Sequence, residues 1–160
     1  MIDIFMADLS NQAHADALVK LLDDYAKDPM GGADGLSAQV RQDLTAALAR
    51  RPWVRTFLAF VDGVPAGLAI TIEGFSTFAC KPLLNIHDMA VSPAFRGRGI
   101  STRLLAAVEA LGRELGCCKI TLEVLEGNSL AQASYRSFGF ASYELNPAMG
   151  RAMFWQKLLP

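Results

Sequence analysis

The sequence predicts a domain of the α/β or α+β class, with one mixed sheet and helices on both faces. Apolar spacing indicates the order strand, two helices, three strands, helix, strand, helix and two strands. An Asp62-Gly63 pair joins two apolar runs in the manner of a β-hairpin. A turn rich in glycine and arginine, residues 96–99, separates a strand from a long amphipathic helix. We expect the 160 residues to form a single domain, residues 1–160.

The first third of the chain predicts one strand followed by two helices. Ile2–Met6 is a short apolar strand. From Asn11 to Tyr25, apolar residues recur at the spacing of one helical face. Proline and glycine within residues 28–35, DPMGGADG, end this helix. Ser37 is a suitable N-cap for the second helix, and Pro52 ends it.

The central part predicts the hairpin, a further strand and a long helix. Phe57–Val61 and Val64–Ile72 flank the tight turn. A loop from Ser76 to Pro82 leads to a fourth strand, Leu83–Val91. The helix after the glycine-arginine turn ends near Gly116 and carries apolar residues on one face: Leu104, Leu105, Val108, Leu111 and Leu115.

The last part predicts a strand, a helix and a final strand pair. Residues 120–124 alternate between apolar and polar, as in a half-buried strand. A helix from Asn128 to Phe138 ends at Gly139. Phe140–Leu145 and Ala152–Leu158 are the expected last two strands. Their exposed sheet edge would allow a homodimer.

Composition and charge exclude several classes of protein. Apolar residues make up 52% of the chain and charged residues 19%, which excludes a disordered protein. The formal net charge of -1 provides no general field for nucleic acid, so we expect no nucleic-acid partner. The N-terminal residues MIDIFMADLS have no basic region and no apolar run typical of a signal peptide, so we expect none; nor does the sequence reach the roughly 18 consecutive apolar residues of a membrane span. We therefore expect a cytoplasmic protein with no membrane association.

The cysteines and histidines indicate neither a disulfide framework nor a metal site. Cys80, Cys117 and Cys118 are odd in number, and the adjacent two are poorly placed to pair with each other. The histidines are His14 and His87, and no Cys-x-x-Cys spacing occurs. We expect no zinc and no other metal.

The segment AVSPAFRGRGIST, residues 90–102, has the chemistry of an anion site. A strand that enters a glycine-rich turn and then a helix directs unpaired N–H groups and the positive end of the helix dipole to one point. Gly97 and Gly99 allow a close approach of the backbone to a ligand. Three arginines add donors that suit phosphate oxygens: Arg96, Arg98 and Arg103. A diphosphate site is one interpretation, and an ordinary tight turn with solvated arginines is the other.

Two common nucleotide-binding motifs do not fit this turn. A P-loop has lysine and then Ser or Thr after its second glycine, whereas Ile100 follows Gly99. The dinucleotide fingerprint has a third glycine three residues later, where Thr102 stands. Neither motif explains the turn.

Two sequence motifs resemble those of the GNAT N-acetyltransferase superfamily and follow each other in the order that this family has. Residues 87–105, HDMAVSPAFRGRGISTRLL, resemble its acyl-CoA binding motif: Gln or Arg, two residues, Gly, one residue, then Gly or Ala. Arg96 and Gly99 fit this pattern, while Ser101 departs from it at the last small position. Residues 128–140, NSLAQASYRSFGF, match a second family pattern at Asn128, Ala131, Tyr135, Gly139 and Phe140. The resemblance implies the GNAT fold, a single mixed, mostly antiparallel sheet splayed between strands 4 and 5 with helices on both faces.

The resemblance also implies acetyl-CoA as the acetyl-donor cosubstrate. Its pyrophosphate would bind the N–H groups of Gly97 to Thr102, and its pantetheine arm would pair with the fourth strand. The N–H group of Met89 or Ala90 is a candidate oxyanion donor. The expected cosubstrate-binding residues are Met89, Ala90, Val91, Arg96, Gly97, Arg98, Gly99, Ile100, Ser101, Thr102, Asn128 and Tyr135.

The same resemblance implies a general acid and a general base. Tyr135 is the expected acid for the leaving thiolate, although its helix face also suits a core aromatic. His87 is the expected base because imidazole titrates near neutrality. Asp88 is the second candidate and Glu123 the third. Strand alternation predicts Asn85, His87 and Met89 on one face and Ile86, Asp88 and Ala90 on the other.

Residues 28–35 lie where this family builds part of its acceptor pocket. Asp28 and Asp34 would attract a cationic amine there, unless the segment is only a flexible connector. Four aromatic residues would line a pocket or an interface, with core packing as the default: Trp53, Phe75, Phe78 and Trp155. The expected activity is acetyl transfer from acetyl-CoA to a primary amine, by direct attack in a ternary complex. The alternative is a non-catalytic acyl-CoA sensor or partner-binding domain on the same fold.

Overall fold

The computed structural model describes residues 1–144 and 146–159. They form two compact units, Met1–Leu122 and Glu123–Pro160. The first unit holds a sheet and three helices, and the second holds one helix. The single domain expected over residues 1–160 stays a prediction.

The first unit is built on a five-stranded sheet in the order β1-β2-β3-β4-β5. From β1 to β4 neighbouring strands are antiparallel, whereas β5 pairs with β4 in parallel. This confirms the predicted mixed, mostly antiparallel sheet. The strands are β1 (Ile2–Met6), β2 (Val54–Val61), β3 (Val64–Ser76), β4 (Lys81–Val91) and β5 (Ile120–Leu122).

The β2–β3 hairpin turns at the predicted Asp62-Gly63 pair. Both residues have a left-handed backbone, with φ of 50° at Asp62 and 80° at Gly63. A two-residue turn of this kind matches the twist of the flanking strands. The hairpin is therefore specified locally, by residues that tolerate positive φ.

Three helices belong to the first unit: α1 (Gln12–Ala26), α2 (Ala38–Ala49) and α3 (Ile100–Glu114). The Asn11 side chain accepts hydrogen bonds from the first N–H groups of α1. Ser37 does the same for α2, as predicted, by accepting from the Val40 N–H group. Gly116 follows α3 with a φ of 69°, which also agrees with the prediction of a helix end there.

The sheet carries a helix on each face, as predicted. On one face, α1 packs against β2 and β3 through fully buried side chains: Ala17, Leu18, Leu21, Leu58, Leu68 and Ile70. On the other face, α3 contributes its own buried stripe: Ile100, Leu104, Leu105, Val108 and Leu111. Each buried leucine or isoleucine stabilises the fold by about 1.5–3 kcal/mol.

The start of α3 lies very close to the sheet at Gly67 of β3. A Cβ atom added to Gly67 would lie 2.9 Å from the Ala90 carbonyl oxygen and 3.3 Å from Cγ2 of Ile100. It would also lie 3.4 Å from Cδ1 of Leu104. The missing side chain at Gly67 therefore fixes how deeply the first turn of α3 packs.

The strands β4 and β5 splay apart after a short contact. Their register runs only from Leu84–Ile120 to Ile86–Leu122. Just before the splay, Nδ2 of Asn85 donates to Oγ1 of Thr121 at 3.1 Å. Within the part of the chain that the structure describes, β4 has no strand partner on its β5 side after Ile86.

The second unit contains α4 (Ser129–Phe138), which begins and ends as predicted. The Asn128 side chain accepts from the Ala131 N–H group at 3.1 Å, and Gly139 ends the helix with a φ of 105°. The predicted final strand pair is wrong for the described residues 140–144 and 146–159, where no strand forms. One ladder-like bond links the two segments, from the Ala152 N–H group to the Tyr143 carbonyl, and one bond does not order a strand pair. Leu145 lies outside the described residues.

Core packing, the default for four aromatic residues, is also wrong. Trp53, Phe75, Phe78 and Trp155 are exposed, and 95% of Phe78 is accessible. Phe75 lies at the end of β3, and Phe78 lies in the short loop before β4. Their positions at the tip of a hairpin explain why apolar character alone did not predict burial.

Replacing Gly67 with alanine should separate α3 from the sheet. We expect Gly67→Ala to lower the free energy of unfolding by about 1–3 kcal/mol, because the new methyl group overpacks a filled contact. Urea unfolding followed by circular dichroism measures this difference. The control is Gly112→Ala within α3, whose Cβ atom would meet its nearest neighbours at an ordinary 3.6 Å. An unchanged stability of Gly67→Ala would show that this contact does not set the helix position.

Candidate active site

The glycine-arginine turn lies between the end of β4 and the start of α3. A short 3₁₀ turn, Pro93–Phe95, leads into it. Gly97 and Gly99 have φ values of 76° and 75°, a left-handed backbone that side chains other than glycine adopt at a cost. A Cβ atom at either glycine would meet nothing within 4 Å, so the outer face of the turn is open. Glycine is therefore needed at these positions for its left-handed backbone and not for lack of space.

The N-terminus of α3 is well suited to an anion. Its N-cap is Gly99, and no side chain caps the helix. Helix geometry leaves the first N–H groups without an intrahelical acceptor, and the helix dipole adds partial positive charge at the same point. Ile100 is 1% exposed, so its side chain anchors the first turn while the backbone of the preceding glycines lies at the surface. The predicted phosphate-binding segment therefore has both the donors and the open face that it needs.

The three arginines that were predicted to bind phosphate differ in their surroundings. Nε of Arg96 donates to the Val91 carbonyl oxygen at 3.2 Å, and its Nη2 donates to Oδ2 of Asp28 at 3.3 Å. The guanidinium of Arg98 lies 5.5 Å from the centre of the Phe95 ring. Arg103 is exposed on the first turn of α3. Arg96 is thus tied to protein oxygens, whereas Arg98 lies over an aromatic ring and Arg103 is exposed to solvent.

A β-bulge in β4 changes which side chains share a face. The register pairs Ile70 with Asp88 but Thr71 with Ile86, so His87 is an extra residue without a partner in β3. Directly paired residues share a face, and Ile70 belongs to the α1 core. The bulge therefore places Asn85 and Asp88 together on the α1 face, and it places Ile86 and Met89 together on the α3 face. The predicted alternation through His87 is wrong, because strict period-2 spacing holds only for an unbroken ladder.

The bulge also separates the two candidate bases. His87 is exposed, whereas Asp88 is half-buried. Burial raises the pKa of the Asp88 carboxyl above its ordinary value, and the neighbouring His87 opposes that rise. Asp88 is thus the group whose environment makes it a stronger proton acceptor than a surface carboxylate. The third candidate, Glu123, is exposed at the start of the second unit.

The half-buried Tyr25 joins Asp88 to the connection between α1 and α2. Burial raises the pKa of the Tyr25 phenol, and the carboxylates of Asp88 and Asp28 raise it further. The charges of both carboxylates therefore act on the phenol. Tyr25 was not predicted as a site residue, because its helical spacing assigns it to the apolar face of α1. The one available signal was its place at the end of that helix, directly before residues 28–35.

The remaining residues predicted for the cosubstrate site and the acceptor pocket lie in β4, in residues 28–35 and in the second unit. Met89, Ala90 and Val91 form ladder pairs with Ala69, Leu68 and Gly67 of β3. Asp34 is exposed, whereas Asp28 is half-buried and paired with Arg96. In the second unit, Oδ1 of Asn128 caps α4. The half-buried Tyr135 ring lies edge-on to Phe140, with ring centroids 5.9 Å apart.

The described residues contain neither a metal-ligand cluster nor a membrane-spanning helix. Across residues 1–144 and 146–159, no group of three or more His, Cys, Asp or Glu side chains is arranged to hold a metal ion. In the same described residues, every helix is too short or too polar to cross a lipid bilayer.

Sequence comparison relates the chain to acetyltransferases. The profile of the Acetyltransferase (GNAT) family matches residues 18–140. Aminoglycoside N(6')-acetyltransferase type 1 of Salmonella typhimurium is 30% identical over 105 residues, which cover 64% of this chain and 68% of that protein. Streptothricin acetyltransferase of Streptomyces lavendulae is 34% identical over 120 residues, or 74% of this chain and 57% of that protein.

Solved structures share the fold at lower identity. One is the acetyltransferase AAC(6')-Iy in complex with the bisubstrate analogue CoA-S-monomethyl-acetylneamine. It has a TM-score of 0.77 and 23% identity over 99% of each chain. A second is an aminoglycoside acetyltransferase from a soil metagenome in complex with sisomicin, with a TM-score of 0.79 and 18% identity over 99% of this chain and 97% of that one.

The family match covers most of the chain, including both sequence motifs and the four strands β2 to β5, of which β4 and β5 splay apart. The fold of the solved relatives agrees with the architecture described above. On these findings the chain belongs to the GNAT family of acetyltransferases.

Proposed function

We propose that this protein transfers the acetyl group of acetyl-CoA to a primary amine of a small basic acceptor, by direct attack in a ternary complex. The observation that carries the proposal is the open turn with left-handed Gly97 and Gly99, which leads into the uncapped start of α3 beside the splayed end of β4. Such a turn suits a diphosphate. The splay leaves one edge of β4 available for pairing with an extended ligand. Acetyl-CoA supplies an activated thioester carbonyl to this site.

The chemistry of the named relatives favours a basic acceptor. One relative is named for aminoglycosides, another for streptothricin and a third, from Caenorhabditis elegans, for thialysine. These compounds carry amines that are protonated at neutral pH. Asp88 and Asp28 place two carboxylates around Tyr25 in the first unit, which suits a cationic acceptor.

Asp88 is the base that we propose for the acceptor ammonium group. A carboxyl with a raised pKa accepts a proton more readily than an ordinary one, and its removal by substitution typically costs about 10²–10⁴-fold in rate. The neutral amine then forms a bond to the thioester carbonyl carbon, which gives a tetrahedral oxyanion. As the carbon–sulfur bond breaks, the nitrogen releases its extra proton to solvent, and the group that protonates the sulfur regains a proton from solvent. We assign the proton for the departing sulfur to the Tyr135 hydroxyl, and the oxyanion donor to the N–H group of Met89 or Ala90. His87 remains the alternative base.

Binding of acetyl-CoA should raise the thermal stability of the protein. A ligand at about one hundred times its dissociation constant adds roughly 2.7 kcal/mol to the free energy of unfolding. Differential scanning fluorimetry with and without acetyl-CoA measures the shift in melting temperature, and dephospho-CoA serves as the comparison ligand. No shift at millimolar acetyl-CoA would overturn the proposal.

Turnover by the wild type distinguishes an enzyme from a non-catalytic sensor, and Tyr135→Phe is the matched variant that tests the proposed acid. It should keep the shift with acetyl-CoA and lose turnover, because it removes one hydroxyl group and leaves the ring in contact with Phe140. Turnover equal to that of the wild type would remove Tyr135 as the acid.

Two single variants should separate Asp88 from His87 as the base. If Asp88 is the base, kcat/KM of the wild type falls as pH drops through the raised pKa of Asp88. This fall is the acidic limb of the pH profile, and it should be absent in Asp88→Asn. His87→Ala keeps the limb and moves it to higher pH, because the His87 charge lowers the pKa of Asp88. The measurement is the pH profile of acetyl transfer to an aminoglycoside. A limb that persists in Asp88→Asn and vanishes in His87→Ala would assign the base to His87.

Asp88 should also reduce stability at neutral pH. The pKa of the Asp88 carboxyl is raised in the folded state above its reference value of 3.8, which applies to the unfolded chain. The native protein therefore binds the carboxyl proton more tightly than the unfolded chain does. Stability attributable to Asp88 is therefore lost as pH rises from that value through the native pKa. Asp88→Asn should raise the melting temperature at pH 7, and the gain should fade below the reference pKa. An equal gain at both ends of the range would contradict this origin.

A further inference from the structure

The Arg96–Asp28 ion pair joins the glycine-arginine turn to the connection between α1 and α2. The two residues lie 68 positions apart in the sequence. On the turn side, Arg96 also bonds the Val91 carbonyl oxygen, so its guanidinium is fixed to the end of β4. Arg96 thus connects the glycine-arginine turn, which we assign to the cosubstrate, to the α1–α2 connection at Asp28.

On the other side of the pair, Asp28 organises the start of the connection, residues 27–37. Its Oδ1 accepts from the Met30 N–H group at 2.9 Å. Its carbonyl oxygen accepts from the N–H groups of Gly31 at 2.7 Å and Ala33 at 3.3 Å. A movement of the Asp28 side chain would therefore be transmitted to this whole turn.

The connection is also held at its far end and along α1. Asp23 accepts from the Leu36 N–H group at 2.8 Å and forms an ion pair with Lys27. Gly31 packs so closely on α1 that an added Cβ atom would lie 2.0 Å from the Tyr25 carbonyl oxygen. Residues 27–37 are thus anchored at both ends and at Gly31, and the Arg96 contact reaches them at Asp28.

The pair also sets the charge that the acceptor meets. The charges of Asp28 and Asp88 both act on the Tyr25 phenol, but the Arg96 guanidinium pairs with Asp28 and offsets its charge. The side chains of Arg96 and Asp28 are 49% and 27% exposed, so the bond itself adds little to global stability. Its effect is on position, because it fixes where the second carboxylate stands.

We propose that Arg96 and Asp28 are positioning residues that couple cosubstrate binding at the glycine-arginine turn to the order of the α1–α2 connection, and hence to acceptor binding. The inference rests on the proposed function, because it needs a ligand at the turn. A ligand that orders the turn also orders Arg96, which then holds Asp28 and residues 27–37 more firmly. By linkage, an acceptor that needs this connection in place strengthens cosubstrate binding by the same factor.

Asp28→Asn tests the coupling with little other change. Asparagine is as good an N-cap as aspartate, so the bond to Met30 is kept while the charge that pairs with Arg96 is lost. The measurement is amide hydrogen exchange of residues 27–37 with and without CoA, which requires no acceptor and no turnover. In the wild type, CoA should slow exchange there by about fivefold, the lower end of typical couplings between sites. In Asp28→Asn this slowing should be lost, while the thermal shift with CoA remains.

Two further variants distinguish coupling from a merely structural role. Asp24→Asn breaks the exposed Lys20–Asp24 ion pair of α1 and should respond to CoA as the wild type does. Asp28→Glu restores a carboxylate and should recover part of the slowing. Full slowing in Asp28→Asn with normal CoA binding would overturn the coupling and leave the proposed function intact. Absence of any CoA-induced thermal shift in the wild type would overturn both.

Discussion

The close approach of α3 to the sheet at Gly67 is the contact on which the rest of the first unit depends. Because Gly67 has no side chain, Ile100 and Leu104 reach the β3 backbone next to the Ala90 carbonyl oxygen. That packing fixes the start of α3 at the end of β4. The uncapped N–H groups and the positive end of the helix dipole therefore meet the glycine-arginine turn. A packing constraint in the core thus positions the charge at the surface.

The bulge at His87 has a second, independent consequence. It inverts the alternation of β4, so that Asp88 lies on the α1 face instead of continuing the pattern of Ile86. The same region is where β4 leaves β5, just after the pair Ile86–Leu122. One irregularity in the strand therefore accompanies both features that the proposed reaction needs, a half-buried carboxylate and an open strand edge.

The charges around Tyr25 show how the site differs from the stable core. A half-buried carboxylate with a raised pKa costs stability at neutral pH, and Asp88 has no compensating ion pair among the described residues. Asp28 is different, because a backbone N–H group and then Arg96 lower its pKa. The first carboxylate is suited to accept a proton, and the second is suited to keep its charge and hold a position.

The sequence by itself determined the features that depend on a few neighbouring residues. The Asp62-Gly63 hairpin, the left-handed turn at Gly97 and Gly99, and the caps at Ser37 and Asn128 each follow from local backbone preferences. The family patterns added the splayed sheet, which local pattern alone does not give. Tertiary structure decided the register shift at His87, the pairing of Arg96 with Asp28 across 68 positions, and the action of two carboxylate charges on Tyr25. It also decided that residues 140–144 form no strand, because an extended segment becomes a strand only when a partner supplies the ladder of hydrogen bonds.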